Sequence, residues 1–331
     1  MFRIPIESFA QNGEDVVLLR ALGHIVNGHY VDVGANHPSN DSVSRAFYDR
    51  GWRGVTIEPV PEFAEMLRRD RPDDIVIEAA ITSQNYESIT LHEIPDTGLS
   101  TLVDETRDAH RVIGYPIRDI TVKTRTLNDI LSETGWNENE IHFISIDTEG
   151  SEAEVLRSID LRKWRPWVLV IESTAPNEDR ATHLDWEESV IDAGYRFCLF
   201  DGLSRFYLAQ EHGELSAALS VPANIHDNFT KQQQRELEGQ LKREGELRQA
   251  ANRQTILWRT IALDRWSDLM EKSSAAAARV TLENQRLQAE YEAIHATLSW
   301  RITRPLRAVS ERFPRELGRA VRKRFPRDKE H

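Results

Sequence analysis

The chain has 331 residues, 42 Lys and Arg against 54 Asp and Glu, and 40 % hydrophobic residues, enough for one sizeable core plus an appendage and too much for a small stapled module. Charge is unevenly spread: residues 299–331 hold 11 Lys or Arg against 4 Asp or Glu, so an acidic body of net −19 carries a basic tail of net +7, which excludes a nucleic-acid-binding body and suits an anionic partner at the tail. The single cysteine, Cys198 in an apolar run, excludes an intrachain disulfide framework and reads as a buried strand residue in a reducing compartment.

The first residues lack a charged start followed by an apolar stretch, and no run approaches the roughly 20 apolar residues that span a bilayer. The expectation is a cytoplasmic protein whose membrane contact, if any, is peripheral on the inner face of the plasma membrane. Short apolar runs alternate with helix-length segments at residues 30–33, 55–57, 75–77, 143–146, 168–171, 196–200 and 206–208. Strands spaced by helices need crossovers, so the predicted fold is α/β with a mostly parallel sheet. The last two runs flank Asp201-Gly202-Leu203-Ser204, a turn-rich link that predicts an antiparallel edge hairpin. Beyond residue 226 the composition turns polar and rich in Ala, Glu, Gln and Arg, with no proline before Pro305. From Ile256 to Leu298, seam positions recur in alternating steps of three and four for about six heptads. Arg259, Ser273 and Asn284 are its polar members, and a seam Asn fixes register at a cost in stability. The expected layout is a globular domain over 1–225, a coiled coil over 226–298 that forms homo-oligomers through 252–298, and a basic amphipathic tail over 299–331. One long helix folding back on the body is the alternative.

Two strand ends carry the most chemistry. Tyr30-Val31-Asp32-Val33-Gly34-Ala35-Asn36 closes an apolar run on Asp-x-Gly, and Gly54-Val55-Thr56-Ile57-Glu58-Pro59 follows about two dozen residues later. A glycine turn lets backbone approach a ligand closely, and a carboxylate about 20 residues further on suits ribose hydroxyls. A dinucleotide site is the nearest rival. It needs several glycines at a helix N-terminus to cradle pyrophosphate, yet only Gly34 is present and Pro38 stands where a later glycine is wanted. S-adenosylmethionine (SAM), which has no phosphate, fits better. It is expected on Asp32 to Asn36, with its ribose on Glu58 beside Pro59 and its adenine near Glu78, Ala79 and Ala80. An ordinary strand-to-helix turn is the plain alternative.

With Ser8-Phe9-Ala10-Gln11-Asn12-Gly13-Glu14-Asp15, Gly51-Trp52-Arg53-Gly54 and Ser145-Ile146-Asp147-Thr148-Glu149-Gly150-Ser151-Glu152 added in that order, the chain resembles the FkbM-type SAM-dependent methyltransferases over about residues 5 to 210. The resemblance implies a Rossmann-like class I methyltransferase fold. It also implies that the Gln11 to Asp15 segment closes over the cofactor, with Asp15 near the charged methionine end. Capping of a helix from Glu14 is the plain reading of that segment. Where many relatives carry a glycine soon after the Asn, this chain has His37-Pro38-Ser39-Asn40-Asp41-Ser42, which leaves Ser42 among the cofactor-side candidates.

Methyl transfer from a sulfonium needs in-line approach, a base and exclusion of water. Asp147, last in an apolar run, is expected at the sheet's carboxyl edge as general base or metal ligand, with Glu149 and Glu152 on the opening turns of a helix, where capping is the alternative role. Glu172 ends the next strand and would neighbour Asp147. Two adjacent carboxylates can hold Mg²⁺ together with substrate hydroxyls, or raise one another's pKa so that one acts as base. His183 is a lid-loop base candidate, and His37 another, each with local hydrogen bonding as the alternative.

The tail Ser299-Trp300-Arg301-Ile302-Thr303-Arg304-Pro305-Leu306-Arg307 resembles endings that follow coiled coils in bacterial surface-polysaccharide glycosyltransferases and methyltransferases. Arg and Trp at such spacing suit an anionic membrane surface or a glycosyltransferase contact. The expected activity is O-methylation of a sugar hydroxyl on a surface glycan or glycolipid precursor, without nucleic acid as partner. A SAM- or glycan-binding scaffold without turnover, and a methyltransferase of lipids or secondary metabolites, are the alternatives, since fold does not settle substrate.

Overall fold

A computed structural model describes residues 5–84, 86–136, 140–174 and 182–303. The chain divides into two compact units, Met1–Leu241 and Lys242–His331. Most of the predicted basic tail, from residue 304, lies outside the described residues, as do residues 175–181 of the segment after Glu172.

The first unit runs β1 (Ile6–Ser8), α1 (Glu14–Leu22), β2 (His29–Val33), α2 (Arg45–Tyr48), β3 (Arg53–Ile57), α3 (Pro61–Asp70), β4 (Ile75–Ile77), β5 (Ala80–Ile81), β6 (Ile89–Glu93), α4 (Asp104–Ile113), β7 (Arg118–Val122), β8 (Thr124–Arg125), α5 (Leu127–Glu133), β9 (Ile141–Ile146), α6 (Glu152–Arg157), β10 (Val168–Glu172), α7 (Glu187–Asp192), β11 (Tyr195–Phe200), β12 (Ser204–Ala209) and β13 (Phe229–Lys231). Seven strands form one sheet in the order β11-β12-β10-β9-β2-β3-β4. Only β12 runs against its neighbours, pairing antiparallel with both β10 and β11, so the predicted hairpin forms and inserts one reversed strand into a parallel sheet. This is the Rossmann-like α/β architecture expected of a class I methyltransferase. Cys198 sits half-buried on β11.

Period-two alternation sends side chains to two cores. Val31, Val33, Val55, Ile57, Ile144, Ile146, Leu169 and Ile171 face Leu127, Ile130 and Leu131 of α5 and Val155 of α6. On the other face Tyr30, Phe143, Val168, Val170 and Phe206 meet Val17, Leu18 and Leu22 of α1 together with Phe47 and Trp52. Burial on both faces is why the central strands read as unbroken apolar runs.

The register puts the ends of four parallel strands in one row: Val33 pairs with Ile57 and Ile146, and Ile146 with Ile171. Ladder bonds reach one residue further, with Gly34 N donating to Ile57 O, Glu58 N to Ile77 O and Asp147 N to Val33 O, each at 3.0 Å. The first residue past each strand is therefore fixed by backbone, not by a loop.

Beside the main sheet, β1 pairs in parallel with β13, Ile6 opposite Phe229, which carries the first unit past the boundary expected at residue 225. A 65-residue helix, α8 (Gln232–Ala296), follows, and none of its residues is buried. Among the described residues no helix is long and apolar enough to cross a membrane.

Phe143 is fully buried with ring centroids 4.7 Å from Phe47, 5.6 Å from Tyr30 and 6.1 Å from Trp52. Phe143→Ala leaves a cavity among rings that cannot collapse onto it, and is expected to cost about 3–5 kcal/mol, read as a lower urea midpoint with unchanged slope.

Candidate active site

At the carboxyl edge of the sheet lies a cleft of about 580 Å³, counted out to its open mouth, lined by Gly34, Asn36, Glu58, Pro59, Asp147, Thr148 and Glu149 and walled by Val60, Phe63, Ala79, Ala80, Ile81, Leu91 and Leu102. Ligands of open α/β sheets bind at this edge.

Gly34 is the tightest point. Its φ is +80°, and a Cβ added there would land 1.7 Å from the Asp147 carbonyl oxygen; only glycine fits where two strand exits touch. Asn36 also adopts a left-handed conformation, φ 46°. Its N–H donates to Glu58 Oε2 at 2.8 Å, while Val60 N–H donates to Oε1 at 2.7 Å. Each oxygen keeps a lone pair that can accept from a vicinal diol. Burial pushes Glu58 up to about 7, with those two backbone donors holding it from rising further.

Asp32 is placed just behind this turn. Ser44 Oγ donates to its carboxylate, Arg71 Nη1 donates to Ser44 Oγ at 2.7 Å, and Arg71 Nη2 donates to Ser42 Oγ at 2.6 Å and to the Pro38 carbonyl. Burial raises the pKa of Asp32 while the Ser44 hydroxyl and Arg71 oppose the rise. Asp32 and Ser42 thus fix the post-β2 loop from behind and do not line the cleft.

Opposite Glu58, Asp147, Glu149 and Glu172 bring one carboxylate oxygen each within 4.8 Å of one another. Glu149 reaches the group from a left-handed backbone, φ 53°, pinned by Thr101 Oγ1 donating to its carbonyl at 2.8 Å. Glu172 is 7 % exposed, and its Oε2 and that of Glu149 accept no hydrogen bond. All three pKa values rise, for Glu172 and Glu149 through burial and then repulsion from Asp147, and for Asp147 through crowding by protein, opposed by a hydrogen bond shared with Glu172. Asp147 opens to solvent at the cleft mouth, which relieves its desolvation, so it ionises first and Glu172, at the buried strand end, last. Glu152 is spent locally, accepting from Thr148 N at 3.1 Å, Thr148 Oγ1 at 3.0 Å and Gly150 N at 3.0 Å.

The structure thus brings Gly34, Asn36, Glu58, Pro59, Ala79, Ala80, Asp147 and Glu149 to one cleft, with Glu172 in the carboxylate group behind it. Other candidates stand elsewhere. Ala35 is buried, its N–H bonded to Ile57 O. Glu78 pairs with Arg68 on the surface at 2.8 Å. Gln11 is exposed, its carbonyl accepting from Lys231 Nζ at 2.9 Å. Asp15 is fully buried and accepts from Ser8 Oγ at 2.8 Å and Phe9 N at 2.7 Å, a local role in which its carboxylate never reaches the cleft. His183 stands 3.8 Å from Glu187, and His37 Nδ1 accepts from Ser39 N and Asn40 N at 3.0 and 2.9 Å. Neither lines the cleft. Sequence reasoning missed Arg71, Phe63, Leu91 and the loop bearing Thr97, Gly98 and Ser100. Gly98 abuts the site, since a Cβ there would meet Asn36 Nδ2 at 2.8 Å.

A glycine turn, a buried acid held by two backbone donors and a carboxylate group facing one cleft of a Rossmann-like sheet are the parts a SAM-dependent methyltransferase needs. The methyltransferase FkbM domain model matches residues 32–197, and the chain belongs to that family. No curated protein sequence matches it. Solved structures similar to it include a TehB-like SAM-dependent methyltransferase from Corynebacterium glutamicum (10 % identity, 59 % of this chain and 87 % of that one, TM-score 0.33). Fibrillarin from Aeropyrum pernix with bound SAM (11 %, 59 % and 76 %, 0.31) and an O-methyltransferase from Bacillus cereus with SAH (12 %, 62 % and 82 %, 0.30) are others. Similarity this distant carries nothing about the site.

Buried carboxyls recur around this edge: besides Glu58, burial pushes Asp15 up to about 6 and Glu14 to about 8, the latter with repulsion from Asp201 as the next cause. A group whose folded pKa exceeds its unfolded value lends stability that is full below the unfolded pKa and is lost as pH rises through the folded one. The thermal midpoint is therefore expected to fall as pH rises from 5 to 8.5, and Glu14→Gln should flatten that decline near pH 8.

Proposed function

We propose that the protein is a SAM-dependent O-methyltransferase whose acceptor is a sugar hydroxyl of a bacterial surface glycan or its glycolipid precursor. The observation that carries the reading is that Asp147 stands at the mouth of the cleft that Gly34, Asn36 and Glu58 line, with Glu149 and Glu172 beside it. SAM would lie with its ribose hydroxyls donating to Glu58 and its adenine among the apolar wall residues Val60, Phe63, Ala80 and Leu91. The acceptor oxygen attacks the sulfonium methyl in line; the O–C bond forms as the C–S bond breaks, S-adenosylhomocysteine departs, and the acceptor proton passes to Asp147. Glu149 and Glu172, held largely protonated, would donate to neighbouring hydroxyls of the sugar, which favours a polyhydroxylated acceptor over an isolated alcohol.

The same oxygens fit a divalent cation such as Mg²⁺, because two of them are buried without partners. Asp147, Glu149 and Glu172 would hold it, and once bound it would supply the positive charge that draws a vicinal diol to the carboxylates. The resemblance of the tail to surface-polysaccharide enzymes supports a glycan acceptor and contact with an anionic membrane surface.

Glu58→Gln is expected to weaken SAM binding by about 10- to 100-fold, the worth of a charge-assisted hydrogen bond, measured by isothermal titration. With Glu58 at about 7, affinity should fall as pH drops from 8 to 6 in the parent and hold steady in the variant. Asp147→Asn should bind SAM as the parent does and lose at least 100-fold in turnover of a glycan acceptor. A folded parent that binds no SAM would promote the scaffold reading, and an active Asp147→Asn enzyme would remove the base assignment.

A further inference from the structure

We infer that α8 pairs with the α8 of a second copy of this chain along one face, uncharged from Thr260 to Thr281; this stands apart from the methyltransferase reading. A helix of 65 residues with none buried lacks the tertiary packing from which helices in proteins draw most of their stability. From Ile256 on, most of its large apolar residues share one face, with Leu257, Trp258 and Leu282 outside it. Leu263, Trp266, Met270, Val280, Leu287 and Ile294 occupy the a and d positions of one unbroken heptad frame, and each is 52–65 % exposed.

The charge pattern is sharper than the apolar one. In this frame every a, d, e and g position from Thr260 to Thr281 is uncharged, whereas Asp264, Arg265, Asp268, Glu271, Lys272 and Arg279 all fall on b, c and f. Six charges confined to the outer half over three turns of the heptad mark the inner half as a surface that leaves water. A partner of opposite charge has nothing to meet there, and a partner with the same repeat has everything.

Self-pairing also matches in area. The six residues with Leu269 and Tyr291, in two copies, remove on the order of 1,000–2,000 Å² of apolar surface. Stable interfaces need about 1,200–2,000 Å². Asn284, at an a position, sets register by seeking a polar group on the opposite helix. Arg259, at d, closes the face at its N-terminal end.

Sedimentation velocity on the full chain reads the outcome. The parent should sediment as two chains at micromolar concentration. Met270→Lys and Val280→Lys, on the seam, should each raise the dissociation constant at least 100-fold and give one chain, whereas Ala278→Lys, at b, should leave two. Because α8 buries no residue of its own chain, these variants should keep the parent's slow amide exchange in β2 and β9, which checks that the first unit is folded. A parent that sediments as one chain or as three, or seam variants that pair as tightly as Ala278→Lys, would overturn the inference.

Discussion

Everything at the site depends on the space where Gly34 has no side chain. The exits of β2 and β9 lie so close that the Asp147 carbonyl occupies the volume a Cβ would need, and the Asp147 N–H is bonded to Val33 O at 3.0 Å. The glycine turn and the acid beside it are thus one piece of backbone geometry. Neither can move without breaking a ladder bond of the central sheet, so the placement of the chemistry is as rigid as the core beneath it. Such placement is where orientation effects on rate originate.

Electrostatics then separates two kinds of acid. Asp32 lies near the fully buried Arg71 and is tied to it through Ser44, while no cation is among the causes that raise the pKa values of Asp147, Glu149 and Glu172. The first arrangement spends its charge on holding a loop. The second leaves its capacity unspent, with Glu149 Oε2 and Glu172 Oε2 accepting no hydrogen bond from the protein, so these oxygens are available to a ligand.

The sequence showed the parallel strands that build the site because burial on both faces writes continuous apolar runs, and it showed Gly34, Glu58 and Asp147 because each is the first residue of consequence past such a run. It did not show Arg71, whose partners Pro38, Ser42 and Ser44 are brought to it only by the fold. Asp15, Ser42, Glu78 and His183 looked like cofactor or catalytic groups by position in a motif or loop. Their bonds to near neighbours, to the buried Arg71 or to a surface arginine are invisible in a linear pattern. Loop residues such as Thr97 and Ser100 carry no periodicity, so nothing but the closed cleft identifies them. The heptads of α8 were plain, since a period of 3.5 needs no tertiary contact to be seen.

The small parallel pair of β1 and β13 bears on how the chain acquires its shape. Ile6 bonds to Asn228 O at 3.0 Å, and Glu7 meets Arg235 at 2.8 Å across more than 220 intervening residues. During synthesis the first strand must wait, unpaired, until β13 has left the ribosome, while the core sheet can assemble without it. Contacts of such sequence separation close late because the loop entropy they remove is large. β1 is therefore among the last parts of the first unit to be locked, and it is locked directly to the root of the long helix.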